Sequence, residues 1–276
     1  MSVHANLRGT GSDRSGRRRT GEVWLIGAGP GAADLLTLRA VRLIQRAEVI
    51  VYDHLADADC LDFAGPGAEL ICVGKRAGCH STSQATINAV LLARAKAGQC
   101  VVRLKGGDPG IFGRAGEEIE HLAQHGIRVG IVPGVTAALG CAAALGIPLT
   151  HRGIVRSLHL VTGHCRSGEA LDLDWPRLAD PAGTTALYMG RHNLSLLAAR
   201  LIEAGLPART PAVAVENGTL PSERRIFAGI ARLPQAVQTQ AGNGPLLVIV
   251  GDVVALAPDW TAGRLVDQAL AQHSSA

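Results

Sequence analysis

The sequence is poor in lysine and aromatics, and its cysteines form no close pairs. Lysine occurs three times, at Lys75, Lys96 and Lys105, against 24 arginines. Aromatic residues make up 3% of the chain, too few for a surface that stacks bases. Six cysteines stand at 60, 72, 79, 100, 141 and 165. None form C-x-x-C, and no Cys/His group has zinc-finger spacing, so no metal is expected. A chain of 276 residues needs no disulfide framework, and the thiols are read as free in a reducing cytoplasm. No apolar run reaches about 18 residues without a charge, so no membrane span is expected. The N-terminus lacks the apolar stretch of a secretory signal.

Net charge is also missing from the body. The chain carries +4, and Arg8, Arg14, Arg17, Arg18 and Arg19 against Asp13 account for all of it. Residues 21–276 then hold 22 basic and 22 acidic groups, which argues against a nucleic-acid partner. Residues 1–20 read as a disordered basic tail. With 47% apolar and 18% charged residues, the rest reads as globular, one or two domains in extent.

What is present alternates between two periodicities. Glu22–Ile26, Val49–Tyr52, Leu70–Val73, Cys100–Leu104 and Val129–Val132 read as short buried strands. Leu35–Ala47, Ser83–Gly98 and Glu117–His125 between them read as helices. That order implies an α/β layer with a mainly parallel sheet. The alanine-rich segment Val135–Ala144 precedes a second α/β unit, with strands Leu158–Thr162, Thr185–Met189, Ala212–Glu216 and Leu246–Val250 and a helix over Leu194–Ala204. A turn at 216–219 and a hairpin near Glu223–Ala228 suggest antiparallel pairing there. The expected division is an N-terminal domain over 21–134, a C-terminal domain over 135–258 and a tail over 259–276.

Gly27-Ala28-Gly29-Pro30-Gly31-Ala32 fits the dinucleotide fingerprint, and Asp53 ends the next strand. On that reading the loop would cradle a pyrophosphate and Asp53 would hold a ribose. Three features oppose it. Pro30 removes an N–H from the cradle. A second loop, Lys105-Gly106-Gly107-Asp108-Pro109, follows another strand, and Pro133-Gly134-Val135-Thr136-Ala137 follows a third. Several loops on one sheet edge describe a pocket for one large ligand. Asp108 either faces that ligand or makes an Asx turn ahead of Pro109.

Together these stretches resemble the uroporphyrinogen-III C-methyltransferases of the tetrapyrrole methylase family. The resemblance is carried by VWLIGAGPGAADLLTLRA (23–40), VIVYD (49–53), VGKRAG (73–78), VVRLKGGDPGIFGRAGEE (101–118) and VPGVTAALGCAAALGIPLTHR (132–152). VTGH (161–164), YMG (188–190) and VENGT (215–219) extend it to about residues 21–257. It implies two α/β domains with a cofactor cleft between them, not a Rossmann methyltransferase. It also implies a homodimer, in a standalone form without a preceding dehydrogenase–chelatase domain. The implied cofactor is S-adenosylmethionine, leaving as S-adenosylhomocysteine. The implied reaction methylates uroporphyrinogen III at C2 and C7, through precorrin-1 to precorrin-2, for siroheme or cobalamin. Pro30, Gly106, Gly107, Asp108, Ile111, Thr136, Ala137, Met189 and Gly218 would line the cofactor site. Asp53 matches the family's proton acceptor and Lys75 its proton donor. Gly110 departs from the usual Phe, and Gly153 from a common Asp.

The chemistry suits these residue types. An electron-rich pyrrole carbon attacks a sulfonium methyl, so no side-chain nucleophile is required, and a carboxylate such as Asp53 fits the later proton loss. Asp53 also reads as a strand-end turn residue, and Lys75 as a partner for a substrate carboxylate. The substrate's carboxylates call for arginines, with Arg76, Arg103, Arg114, Arg152 and Arg156 as candidates. His151 would contact substrate or brace the domain junction. His121 and His125, four apart on a helix, read as solvated surface.

Overall fold

The computed structural model describes residues 21–56, 58–74, 82–164 and 171–260. The basic tail, Lys75 and Arg76 lie outside the described residues. No helix among the described residues is long and apolar enough to cross a membrane.

The first half builds β1 (Glu22–Gly27), α1 (Leu38–Ile44), β2 (Val49–Tyr52), β3 (Glu69–Cys72), α2 (Gln84–Lys96), β4 (Cys100–Lys105), α3 (Ala115–Gln124) and β5 (Arg128–Val132). The five strands form one all-parallel sheet in the order β3-β2-β4-β1-β5. Its central strands are covered on both faces, which is why they read as unbroken apolar runs. Val23, Leu25, Val49, Val51 and Val101 pack towards α2 and α3. Ile26, Ile50, Val102 and Leu104 pack towards α1 on the other face.

The helix expected over Leu35–Ala47 is shorter. A 3-10 turn covers Ala33–Leu35, and Thr37 then caps α1 by accepting from Ala40 N at 3.2 Å. The extended backbone of Thr37 stops the helix from reaching further back. Ser83 caps α2 in the same way through Thr86 N at 3.1 Å.

The second half holds α4 (Ala137–Ala144), β6 (Ser157–Thr162), α5 (Trp175–Leu178), β7 (Gly183–Tyr188), α6 (Leu194–Glu203), β8 (Pro211–Glu216), β9 (Arg224–Gly229), α7 (Leu233–Gln240) and β10 (Leu246–Val250). Its sheet runs β6-β7-β10-β8-β9. β6 and β7 are parallel, and the remaining pairings are antiparallel, as the turn signals implied. β7 stops one residue short of the expected strand because Met189 takes a left-handed backbone (φ 53°). The alanine-rich segment is helix α4, and Ala138, Cys141 and Ala142 bury against Ala186, Val213 and Ile249 of this second sheet. Packing continues through Trp260, whose ring meets Phe227 edge-on at 6.1 Å, two residues beyond the expected domain end.

Candidate active site

The C-terminal ends of β1, β4 and β5 meet in a contact made almost wholly of main chain. A Cβ on Gly27 would lie 2.5 Å from Gly107 O and 2.6 Å from Gly134 Cα. Gly29 and Gly107 exchange backbone hydrogen bonds, at 3.2 and 2.6 Å. No larger residue fits at Gly27 or Gly134 without separating the three loops. Asp108 fastens the same knot: Oδ1 accepts from Gly110 N at 2.7 Å and Oδ2 from Gly134 N at 3.0 Å. The Asx-turn reading of Asp108 therefore describes its bonding, with one backbone donor on each oxygen.

The knot continues into the second half of the chain. The ring of Pro30 lies over Gly140 of α4, where an added Cβ would stand 2.4 Å from Pro30 Cγ. Gly31 backs onto Gly218, and Ala32 N donates to Thr219 Oγ1 at 3.0 Å. From the other side, Tyr188 at the end of β7 reaches the start of α4. Its hydroxyl accepts from Ala138 N at 3.0 Å and pairs with Thr136 Oγ1 at 2.7 Å. Thr136 makes no side-chain cap of its own, so Tyr188 supplies the cap from 50 positions downstream. Burial pushes the Tyr188 phenol up, while Thr136 and Ala138 pull it back. Phe112, itself left-handed (φ 54°), places its ring 5.0 Å from Tyr188 and so bridges the two halves.

Between these walls Gly107 (φ 68°) has open space on its Cβ side, with nothing nearer than Ala137 N at 3.8 Å. Half-buried Pro30, Ile111 and Ala137 and half-exposed Met189 supply apolar surface nearby. Apolar side chains beside exposed main chain are the usual lining of a small-molecule site.

Asp53 stands at the same sheet edge, following β2. Its Oδ2 accepts from Arg103 Nη2 at 2.9 Å and its Oδ1 from Leu55 N at 3.1 Å. Its side chain is 25% exposed. Arg103 was expected as a hand for substrate carboxylates; instead it is buried beneath Asp53 and also bonds Glu118. Its guanidinium is fully engaged by Asp53, Glu118 and the carbonyls of Val51 and Leu104. Arg114 pairs with Glu117 through two bonds of 2.7 and 2.6 Å on the exposed start of α3. His151 and Arg152 lie on a separate exposed turn between α4 and β6, with His151 N bonded to Val155 O. His121 is half-buried, not solvated: its Nε2 is buried with no partner among the described residues, and its ring lies 4.8 Å from that of His125.

The model of the Tetrapyrrole (Corrin/Porphyrin) Methylases matches residues 22–234. The chain belongs to the tetrapyrrole methylase family. Its fold is therefore that family's pair of α/β sheets, and the GAGPG loop is not a Rossmann dinucleotide site. An S-adenosyl-L-methionine-dependent uroporphyrinogen III methyltransferase of Arabidopsis thaliana, chloroplastic, is 50% identical over 241 residues, covering 87% of this chain and 65% of that one. A siroheme synthase of Azotobacter vinelandii is 49% identical over 246 residues, covering 88% of this chain and 53% of that one. The chain thus spans between half and two thirds of the length of these relatives. Among solved structures, uroporphyrin-III C-methyltransferase of Thermus thermophilus, complexed with S-adenosylhomocysteine, matches with a TM-score of 0.73 and 40% identity, over 86% of this chain and 100% of that one.

Glu118, Tyr188 and Phe112, which the fold brings beside these loops, are not singled out by the sequence alone. Each lay inside a quoted motif, but no spacing rule pairs residue 112 with 188 or 103 with 118.

Proposed function

We propose that this chain transfers methyl groups from S-adenosylmethionine to two pyrrole carbons of uroporphyrinogen III, C2 and C7, giving precorrin-2 through precorrin-1. The observation that carries this is the glycine knot of β1, β4 and β5 beside an accessible carboxylate, Asp53, on one sheet edge. Relatives bearing that activity in their names match nearly the whole described chain.

Pro30, Gly106, Gly107, Asp108 and Ile111 on one wall, and Thr136, Ala137, Met189 and Gly218 on the other, would hold the cofactor. When bound, S-adenosylmethionine supplies an electrophilic methyl whose bonding electron pair stays on sulfur as the ring carbon's π electrons form the new C–C bond. The walls would hold the ring carbon against the bound cofactor and exclude water, the kind of positioning that lowers a bimolecular barrier. The methylated ring is a cation, and it returns to neutrality by losing a proton. Asp53 accepts that proton, held in place by Arg103 and Leu55 N. Lys75, by resemblance, returns a proton or pairs with a substrate carboxylate. Arg76, Arg114, His151 and Arg152 belong to the substrate side of this reading, with Arg114 releasing Glu117 to do so. A homodimer and a cytoplasmic setting complete the proposal. Exposed Leu38, Leu139 and Leu196 offer surface for a second copy, and Cys72, Cys100 and Cys141 are in no disulfide among the described residues.

Anaerobic incubation with S-adenosylmethionine and enzymatically made uroporphyrinogen III, followed by mass analysis after oxidation, tests this. A gain of two methyl masses is expected. No gain, with S-adenosylhomocysteine binding intact by calorimetry, would move the substrate to another tetrapyrrole.

A further inference from the structure

Beneath Asp53 the α2/α3 face of the first sheet carries charge where apolar packing would be ordinary. Arg103 and Lys105 project from β4 with side chains 4% and 6% exposed, and Glu118 of α3 is fully buried between them. One Glu118 oxygen, Oε1, accepts from Lys105 Nζ at 2.8 Å, Gln84 Nε2 at 3.1 Å and Arg103 Nε at 3.4 Å. The other, Oε2, has no partner among the described residues. Arg103 spends Nη1 on Leu104 O at 2.8 Å and Val51 O at 3.4 Å, and Nη2 on Asp53 at 2.9 Å. The four charges cancel in pairs, and the exposed end of the chain of bonds is Asp53.

A buried ion network is weak support for stability, because well-packed apolar residues of similar volume do as well or better. Its geometry therefore needs another account. We propose that Glu118 is a positioning residue: it fixes Arg103 through Nε, so that Nη2 sets the orientation of the Asp53 carboxylate that takes the proton. This rests on the reading of Asp53 as the base. Lys105 completes the device by neutralising Glu118, so that the charge of Arg103 is left for Asp53 instead of being divided between two carboxylates. The buried amine supports this division of labour. Burial pushes Lys105 down, Arg103 pushes it further, and Glu118 holds it up. Glu118 is thus the anion that bonds both buried cations directly, with Asp53 adding a weaker hold on Lys105.

The test compares wild type, Glu118→Gln, Glu118→Asp and Asp53→Asn, alone and combined, by steady-state methylation and by calorimetry with S-adenosylhomocysteine. Wild type that binds the cofactor product but methylates nothing would overturn the functional reading, and this inference with it. With an active wild type, Glu118→Gln should lower kcat about 10- to 100-fold, the scale on which small misplacements of a reacting group act. KM and the calorimetric Kd should stay within about threefold, because the cofactor walls are untouched. Glu118→Asp restores the charge one methylene short and should recover part of the loss. In the Asp53→Asn background Glu118→Gln should add less than about twofold, since the two residues act as one unit. A kcat within twofold of wild type would overturn the inference. So would an equal loss in the Asp53→Asn background, or a parallel loss of cofactor affinity, the marks of a merely structural role. If Glu118→Gln does not fold by circular dichroism, Lys105→Met/Glu118→Gln removes the buried pair together and leaves Arg103 balanced by Asp53. It should then show a kcat loss of at least about fivefold that disappears in the Asp53→Asn background, and a loss that persists there overturns the inference.

Discussion

Glu118 in the first half and Glu216 in the second are both buried carboxylates, 0% and 1% exposed, yet their bonding differs in kind. Glu216 is closed. It accepts from Gly242 N, Gly244 N and Arg191 Nη2, each at 2.8 Å, using both oxygens. Arg191 in turn donates to Gly242 O and Gly244 O. Its hydrogen bonds all return to the same loop, which Glu216 staples to the end of β8, and a looser ion pair at 3.8 Å reaches Arg224 of β9. Burial alone would raise its pKa, but the two backbone donors and Arg191 outweigh burial and leave it below the usual carboxylate value. Glu118 is open: its donors are side chains, one oxygen is unmatched among the described residues, and its bonds lead outward to Asp53. A staple and a strut can therefore be told apart by where the hydrogen bonds end, even when burial is the same.

That contrast has measurable edges. The largest expected effect is at the exposed end of the strut. Asp53→Ala should lower turnover by about a hundred- to ten-thousandfold, the range of general-base help, while S-adenosylhomocysteine binding measured by calorimetry stays near wild type. Unchanged turnover would remove Asp53 as the base. Next comes the staple. Glu216→Gln leaves Arg191 without its anion and should cost about 3 kcal/mol of stability in urea unfolding. The sign with pH follows from the lowered pKa. As pH falls below the ordinary value of 4.5, the unfolded carboxyl takes up its proton first, so the Glu216 contribution is lost there. The variant should have a flatter stability profile in that acid window; a profile parallel to wild type would contradict the closed account. The smallest effect belongs to the α4 cap. Tyr188→Phe strands the buried Ala138 N–H and should cost about 1–2 kcal/mol, read by the same unfolding curves, with the Phe112 contact preserved.

Much of the fold was legible because β1, β2 and β4 are covered on both faces and so write continuous apolar runs. The glycine loops were legible for a related reason: main chains cannot touch unless side chains are absent, and Gly27 and Gly134 record that contact, while Gly107 records a left-handed turn. Short elements were harder. α5 is one turn, WPRL, and α7 is LPQAVQTQ, with little apolar repetition to mark either. The strut was invisible for a different reason. Arg103 and Glu118 are brought together by the turn through Pro109 and Gly113 that folds α3 back over β4, and a charge on a strand reads from sequence as an exposed one. The same bias offered Arg103 to the substrate when the fold had already assigned it to Asp53.

The cap on α4 has a consequence for how the molecule is made. All five strands of the first sheet have been synthesised by Val132, before α4 begins. α4 buries itself against Ala186, Val213 and Ile249 and takes its N-terminal bond from Tyr188. On a ribosome, where domains form in order of emergence, the glycine knot of one wall would therefore stand ready while the helix of the other still waits for its anchor. The cleft is completed only as the second sheet closes, so one wall is folded well before there is a cleft for it to line.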